Sequence, residues 1–293
     1  MNRPVVAIAV AIVIVVSVIG LNFFVPIGRF APVDNVSGVL ATVTGALPDP
    51  SVYSYFPTGY VTPSLWGLRS ADGTTEMTVY QDGSVDFISN LKNVDVGGSI
   101  VGYPHVGFNA TQYFPIKISE LTTLTAYASF DFYRISPALL SVDFSYDFNI
   151  QSSPSLHKGV LYEVMIWEFW NAAYPVARLV GVVHIPASIN GVEKEVTWLV
   201  FEAKYNDQSY PTVIFAPLNF NARSMSWEIS IPEFVNSLQK VLKQNLSNDY
   251  IPELDVGSEF GTALFPNEIC DWTLSYWYEI GNSRYNLLGQ VSK

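Results

Sequence analysis

The sequence is poor in the residues that disulfide scaffolds, metal sites and nucleic-acid-binding surfaces require. Cys270 is the only cysteine of the 293 residues, so no disulfide can form within the chain, and we expect a small buried apolar side chain there. The three histidines, His105, His157 and His184, lack the spacing of a metal site, and the sequence predicts no metal and no cofactor. With 15 lysines and arginines against 26 acidic residues, the net charge of −11 argues against binding to nucleic acid. Gly-Xaa-Ser-Xaa-Gly and phosphate-loop motifs are also absent.

Charges are missing from Pro4 to Gly28, and the stretch Val5–Ile19 consists almost entirely of valine, isoleucine and alanine. A helix of this length could cross the ~30 Å hydrocarbon core of a bilayer. Arg3 and the N-terminal amine precede the stretch and Arg29 follows it, and because the chain start normally stays inside, the rest would be exported. We therefore expect residues 1–28 to form an uncleaved signal anchor at the cell membrane, with the domain on its extracellular face. The alternative is a cleaved signal peptide and a secreted protein, although the apolar run exceeds the usual h-region of about 7–15 residues.

After this stretch the chain predicts one large all-β domain. Residues 29–52 are rich in Pro, Gly, Ser, Thr and Val and predict an extended linker, whereas residues 53–293 contain many short β-rich runs separated by turns. One helix is predicted after Ser230, where a capping-box spacing with proline in the first turn precedes apolar residues at helical spacing up to Leu242. Many strands and one packing helix indicate a β-sandwich.

One predicted strand carries a glutamate among large apolar residues. Alternation places five side chains on one face of this strand: Leu161, Glu163, Met165, Trp167 and Phe169. A solvent face would not normally be so apolar, and a core face would not normally hold an unpaired carboxylate. A ligand cleft with apolar walls and a few polar groups accounts for both observations.

A second strand near the C-terminus carries Glu259 on the same face as Gly257 and Gly261. The missing side chains of the two glycines leave room for a ligand to approach the carboxylate. Two carboxylates that face one cleft are what glycoside hydrolysis requires. For each glutamate taken alone, a solvated strand residue remains an equally good interpretation.

Five segments together resemble the glycoside hydrolase family 12 endoglucanases. Tyr162–Trp167 is similar to the strand that carries the nucleophile of the family, and Gly257–Phe260 is similar to the strand that carries its acid/base residue. Tyr146–Asn149, Leu65–Gly67 and Gly102–Pro104 resemble three further family segments in the expected order. The resemblance extends from about residue 50 to the C-terminus.

This resemblance implies a jelly roll of two antiparallel sheets with a concave, substrate-binding face. It implies that Glu163 is the nucleophile, that Glu259 is the acid/base residue, and that Asp147 lies within hydrogen-bonding distance of Glu163. The separation expected for the two glutamates is the short one of retaining enzymes, about 5–5.5 Å. Five residues are expected to bind the sugar chain: Ser64, Trp66, Met165, Trp167 and Pro175. The implied partner is a β-glucan polysaccharide, cleaved by a monomeric catalytic domain.

Four positions depart from the family pattern and bear on subsite preference rather than on reaction type. These are Ser64, His105, Ser258 and Asn149, where the family tends to have asparagine, glutamate, threonine and phenylalanine. Two alternatives stay open: a non-catalytic carbohydrate-binding jelly roll, and a related retaining xylanase or xyloglucanase. The presence of both Glu163 and Glu259 disfavours the first, and the Met165–Trp167 context favours glucan over xylan.

Overall fold

The computed structural model describes the following residues: 38–47, 52–136, 141–171, 177–205, 208–261 and 267–292. The expected membrane anchor, residues 1–28, and the expected substrate-binding residue Pro175 lie outside these ranges. Within them, no helix has the length and apolar character needed to span a membrane.

β-strands dominate the described ranges and are joined by short turns. The strands are β1 Val39–Gly45, β2 Ser54–Phe56, β3 Gly59–Thr62, β4 Leu68–Tyr80, β5 Val85–Val96, β6 Ile100–Gly102, β7 His105–Phe108, β8 Ile116–Lys117, β9 Thr125–Ile135, β10 Val142–Gln151 and β11 Val160–Asn171. They continue with β12 Arg178–Ile189, β13 Val192–Ala203, β14 Thr212–Pro217, β15 Ser224–Ser230, β16 Tyr250–Ile251, β17 Leu254–Gly257, β18 Phe260–Gly261, β19 Asn267–Glu268, β20 Cys270–Ile280, β21 Ser283–Asn286 and β22 Gly289–Val291. One α-helix, α1 Ile231–Leu242, and one 3₁₀ turn, Ile118–Glu120, complete the described elements.

Strand pairing arranges the chain as an all-β sandwich, as the sequence predicts. One layer runs β2-β3-β7-β17-β10-β11-β14-β13-β12, and only its β11–β14 pair is parallel among the pairs described. The other layer runs β15-β9-β20-β5-β4-β1 and is antiparallel throughout. The first layer carries the candidate site, and we call it the site sheet.

Aromatic side chains hold the two layers together. Phe144 of the site sheet stacks on Phe130 of the other layer with ring centroids 4.3 Å apart, and its edge meets Trp272 at 5.7 Å. Burying each such ring stabilises the fold by roughly 1.5–3 kcal/mol. Cys270 is fully buried in the same core, which confirms the small apolar role predicted for it.

The predicted helix is present and packs on the core-facing side of the site sheet, opposite the side that carries Glu163. Phe234 meets Trp198 of β13 at 4.9 Å and Phe215 of β14 at 5.2 Å, with edge-to-face geometry in both contacts. The Ser230 side chain makes no capping hydrogen bond, so the capping box suggested by the sequence is not formed. The helix ends when Lys243 adopts the left-handed conformation, which closes the last turn.

Candidate active site

β10 supplies a row of polar groups to the side of the site sheet that faces away from the core, which we call its exposed side. Its core-facing residues are Val142, Phe144, Tyr146, Phe148 and Ile150. Alternation along the strand therefore points the intervening residues away from the core: Asp143, Ser145, Asp147, Asn149 and Gln151. Two acidic groups, Asp143 and Asp147, thus stand on one strand face in the middle of the sheet.

β11 lies beside β10 and presents Glu163, Met165 and Trp167 on that same side, since each is paired with a residue of the polar row. The predicted face also included Leu161 and Phe169, and this part of the prediction is wrong. Register shifts leave Leu161 and Glu168 without partners on β10, and a bulge interrupts the alternation at each point. As a result, Leu161 and Phe169 pack against the core between the layers.

The Glu163 carboxylate is half-buried and is held by two side chains that the sequence did not single out. The Thr212 hydroxyl donates to Glu163 Oε2 at 2.5 Å, and Gln208 Nε2 donates to the same oxygen at 3.3 Å. Thr212 stands opposite Glu163 because β14 pairs in parallel with β11. The sequence shows Thr212 only as the polar first residue of an apolar strand, and nothing local indicates which strand lies next to it.

We expect Thr212→Val to lower kcat about tenfold or more. The substitution preserves shape but removes the hydroxyl that fixes the orientation of the Glu163 carboxylate, and a hydrogen bond to a charged group is worth about 1.5–3 kcal/mol. Steady-state kinetics on a soluble β-glucan would measure the effect. Thr273→Val, at an exposed position of β20 in the other layer, is the control and should leave kcat unchanged. Equal rates for Thr212→Val and wild type would show that this contact does not matter for turnover.

Glu259 lies at the break between β17, which ends at Gly257, and β18, which begins at Phe260. The sequence suggested that the flanking glycines leave space for a ligand, and this interpretation is wrong. A Cβ on Gly257 would lie 2.1 Å from the Pro104 carbonyl oxygen, and one on Gly261 would lie 2.7 Å from the Ser99 carbonyl oxygen. Neighbouring backbone fills both places, so the glycines allow close packing of the loops that hold Glu259 half-buried.

Electrostatic interactions show that the predicted catalytic residues are brought together. Burial raises the pKa of Glu259 well above its usual range, and the charges of Asp143 and Glu163 raise it further. Burial also raises the pKa of Asp147, and Glu163 is first among the neighbouring charges that add to this shift. The expected hydrogen bond between Asp147 and Glu163, and the expected short separation of the two glutamates, stay predictions.

A sequence profile of glycosyl hydrolase family 12 matches residues 58–277, a range that contains Glu163, Glu259 and Asp147. The chain belongs to this family. It is therefore a glycoside hydrolase, as the paired carboxylates predict. Among curated proteins, none matches the sequence closely enough to serve as a relative.

Solved structures of family 12 enzymes share the fold of this hydrolase. The endoglucanase Cel12A from Rhodothermus marinus has a TM-score of 0.62 and 14% identity, with 83% of this chain and 99% of that one covered. A family 12 xyloglucanase from Bacillus licheniformis has a TM-score of 0.61 and 17% identity, with 82% and 100% covered. The catalytic domain of Cel12A from Humicola grisea, in complex with a thio-cellotetraose, has a TM-score of 0.57 and 19% identity, with 81% and 99% covered.

In this family 12 hydrolase, Ser64 and Trp66 lie in the loop between β3 and β4. Ser64 adopts a positive φ of 41°, and its carbonyl oxygen accepts a hydrogen bond from the Tyr103 backbone N–H at 3.0 Å. Trp66 is 55% exposed, as a ring that stacks on a sugar must be. The loop follows Thr62, which belongs to the row Thr62–His105–Gly257 across β3, β7 and β17, so it continues toward the end of the sheet that holds Glu259.

Met165 and Trp167 belong to a satellite apolar cluster on the exposed side of the site sheet. The other buried members are Phe201, Ile214 and Ala216. Met165 is 6% exposed and Trp167 is 7% exposed, so little of either side chain is accessible. Their expected contact with sugar stays a prediction, and any contact would involve the edges of these side chains rather than a full ring face.

Proposed function

We propose that the chain is a retaining endo-β-1,4-glucanase that cleaves internal bonds of extracellular glucans by double displacement. The observation that carries the proposal is the contrast between two carboxylates on one sheet face. Glu163 accepts hydrogen bonds from Thr212 and Gln208, which hold its carboxylate in one orientation, as a nucleophile requires. Glu259 has a pKa raised by burial and by neighbouring negative charge, a setting suited to a protonated general acid.

In the first step, Glu163 Oε attacks the anomeric carbon and forms a glycosyl ester, while Glu259 gives its proton to the departing glycosidic oxygen. Formation of the ester removes the negative charge of Glu163, which is one of the charges that raise the pKa of Glu259. Glu259 is then a better base. In the second step it accepts a proton from water as the water oxygen attacks the anomeric carbon, and the bond to Glu163 breaks.

The family and the carboxylates of the site sheet together support a β-glucan substrate. A glucan chain offers hydroxyl groups to the carboxylates of the site sheet and ring faces to Trp66. The similarity to the Bacillus licheniformis enzyme keeps xyloglucan as the second candidate. Reducing-sugar release from cellulose, mixed-linkage glucan, xyloglucan and xylan tests both, and cleavage of xylan alone would contradict a glucanase.

Retention gives a sharp test of the mechanism. We expect ¹H NMR of the reaction to show the β-anomer first, with the α-anomer appearing later by mutarotation, because two displacements at the anomeric carbon restore its configuration. The corresponding carboxyl separation is about 5–5.5 Å, against about 6.5–9.5 Å in inverting enzymes. The α-anomer as first product would contradict Glu163 as a nucleophile.

We propose that residues 1–28 anchor the enzyme at the extracellular face of the cell membrane, with secretion after cleavage as the alternative. The apolar stretch Val5–Ile19 supports this location. We expect the full-length chain to sediment with membranes and to resist extraction by high salt and alkali, whereas a fragment that begins near Phe30 should be soluble and active. Intact full-length enzyme in the cytosolic fraction would contradict the proposal.

A further inference from the structure

The acid/base residue Glu259 has a close carboxyl neighbour on β10 that the mechanism above does not use. Asp143 belongs to the polar row of β10 and is only 2% exposed. It stands at the level of the sheet where β17 has ended and β18 has not begun, between the pairs Ser145–Gly257 and Val142–Phe260. The two residues in this break are Ser258 and Glu259.

Two hydrogen bonds join Asp143 to Glu259 in both directions. The Asp143 backbone N–H donates to the Glu259 carbonyl oxygen at 3.0 Å. The Glu259 backbone N–H points to the Asp143 carboxylate, with 3.4 Å between the nitrogen and Oδ1. The Ser145 hydroxyl donates to the same Oδ1 at 3.2 Å and fixes the carboxylate in this orientation. The Asp143 side chain thus replaces the strand partner that the break removes.

The ionisable neighbours of this carboxyl pair are two acidic side chains, a tyrosine and a cysteine. They are Glu163 on β11, Asp147 on β10, Tyr103 before β7 and Cys270 at the start of β20, and each interacts with Asp143 or with Glu259. Burial raises the pKa of Asp143 to about 7, although the hydrogen bonds from Glu259 and Ser145 act in the opposite direction. A negative charge on Asp143 therefore makes ionisation of Glu259 less favourable.

We propose that Asp143 is a positioning residue for Glu259 that fixes the backbone at the strand break and, by its negative charge, keeps the Glu259 carboxyl protonated. This proposal rests on the acid/base role given to Glu259 above. The chemical consequence is that the general acid stays available at a higher pH than an isolated glutamate would. Asp143 itself need not contact the sugar.

The test is the pH dependence of kcat/KM for wild type and Asp143→Asn on a soluble β-glucan. Asparagine keeps an oxygen that can accept from the Glu259 N–H but removes the negative charge. We expect the descending limb at high pH to move to lower pH by about one unit or more. At a pH on the descending limb, kcat/KM of the variant should therefore be about tenfold below that of wild type. KM should change little. A limb at the same pH in both enzymes would overturn the proposal.

A matched control is Asp86→Asn, which makes the same change at a half-buried carboxyl of β5 in the other layer. It should leave the limb where it is in wild type. On an aryl cellooligoside with an activated leaving group, departure needs little help from an acid, so the difference between wild type and Asp143→Asn should shrink. If the difference stayed the same on that substrate, Asp143 would act in some way other than through the general acid.

Glu259→Gln separates failure of this inference from failure of the proposed function. If Glu259→Gln retains the wild-type rate and limb, Glu259 is not the acid and both ideas fall. If it loses turnover while Asp143→Asn keeps the wild-type limb, only the role of Asp143 falls. Should Asp143→Asn not fold, ¹³C-carboxyl NMR of wild type decides: coupled two-step titrations of Asp143 and Glu259 support the pair, and independent single steps overturn it.

Discussion

Glu163→Gln is expected to reduce kcat on an unactivated β-glucan by about 10⁴- to 10⁶-fold, as removal of an essential nucleophile does in other hydrolases. Glutamine preserves volume and can still accept the hydrogen bond from Thr212. It is too weak a nucleophile to attack the anomeric carbon, so the glycosyl ester cannot form. The measurement is steady-state turnover by reducing-sugar assay, together with a thermal melt to show that the fold is intact.

Glu259→Gln is expected to cause a loss of similar size on the same substrate, because neither protonation of the leaving oxygen nor activation of water remains. Glu195→Gln is the matched control, since Glu195 lies on β13 of the same sheet with its side chain 76% exposed. It should retain the wild-type rate. A large residual rate in Glu163→Gln or Glu259→Gln would remove that residue from the mechanism.

The largest effect on stability is expected at Glu168, the residue that the bulge in β11 turns into the core. Glu168 is fully buried, and neither carboxyl oxygen has a hydrogen-bond partner among the described residues. The hydroxyl groups of Tyr146 and Tyr278, which interact with it electrostatically, are likewise buried without partners in the described part of the chain. Burial alone raises the pKa of Glu168 well above its usual range.

The sign of the resulting pH dependence follows from linkage. Because the folded state holds this proton more tightly than the unfolded state, the contribution of Glu168 to stability is fully present below the unfolded pKa of about 4.3. It is lost as pH rises through the folded pKa, and a difference of one between the folded and unfolded pKa values corresponds to about 1.4 kcal/mol. At neutral pH, the enzyme with Glu168 is therefore less stable than it would be with an apolar residue of similar size at this position.

Glu168→Met should increase the free energy of unfolding at pH 7 by about 1–4 kcal/mol, the range seen when buried charged groups are replaced by apolar ones. The gain should be smaller at pH 3, where the carboxyl is protonated in both states. Urea denaturation at pH 3, 5 and 7 measures it, and Glu195→Met, at an exposed position, should show no such trend. An equal gain at all three pH values would show that packing, not ionisation, decides the stability of this position.

The sequence alone was sufficient to identify the reaction class. A glutamate within an apolar strand points to a cleft, and the segments around Glu163 and Glu259 resemble segments of the family 12 endoglucanases. Both signals are local and do not depend on the rest of the fold. Helix α1 and the turn between β4 and β5 were predictable for the same reason, since helical spacing and turn residues are short-range signals. Asp143 could also have been found, because it lies four residues before Asp147 on the same strand face.

Only the tertiary structure decided the immediate surroundings of the two glutamates. Strand pairing between distant segments placed Thr212 beside Glu163 and Asp143 beside the strand break at Glu259. The bulge at Glu168 is also set by the register between β10 and β11, and one extra residue on one strand reverses every side chain beyond it. Register is a property of two segments at once, so no pattern within either segment could give these contacts.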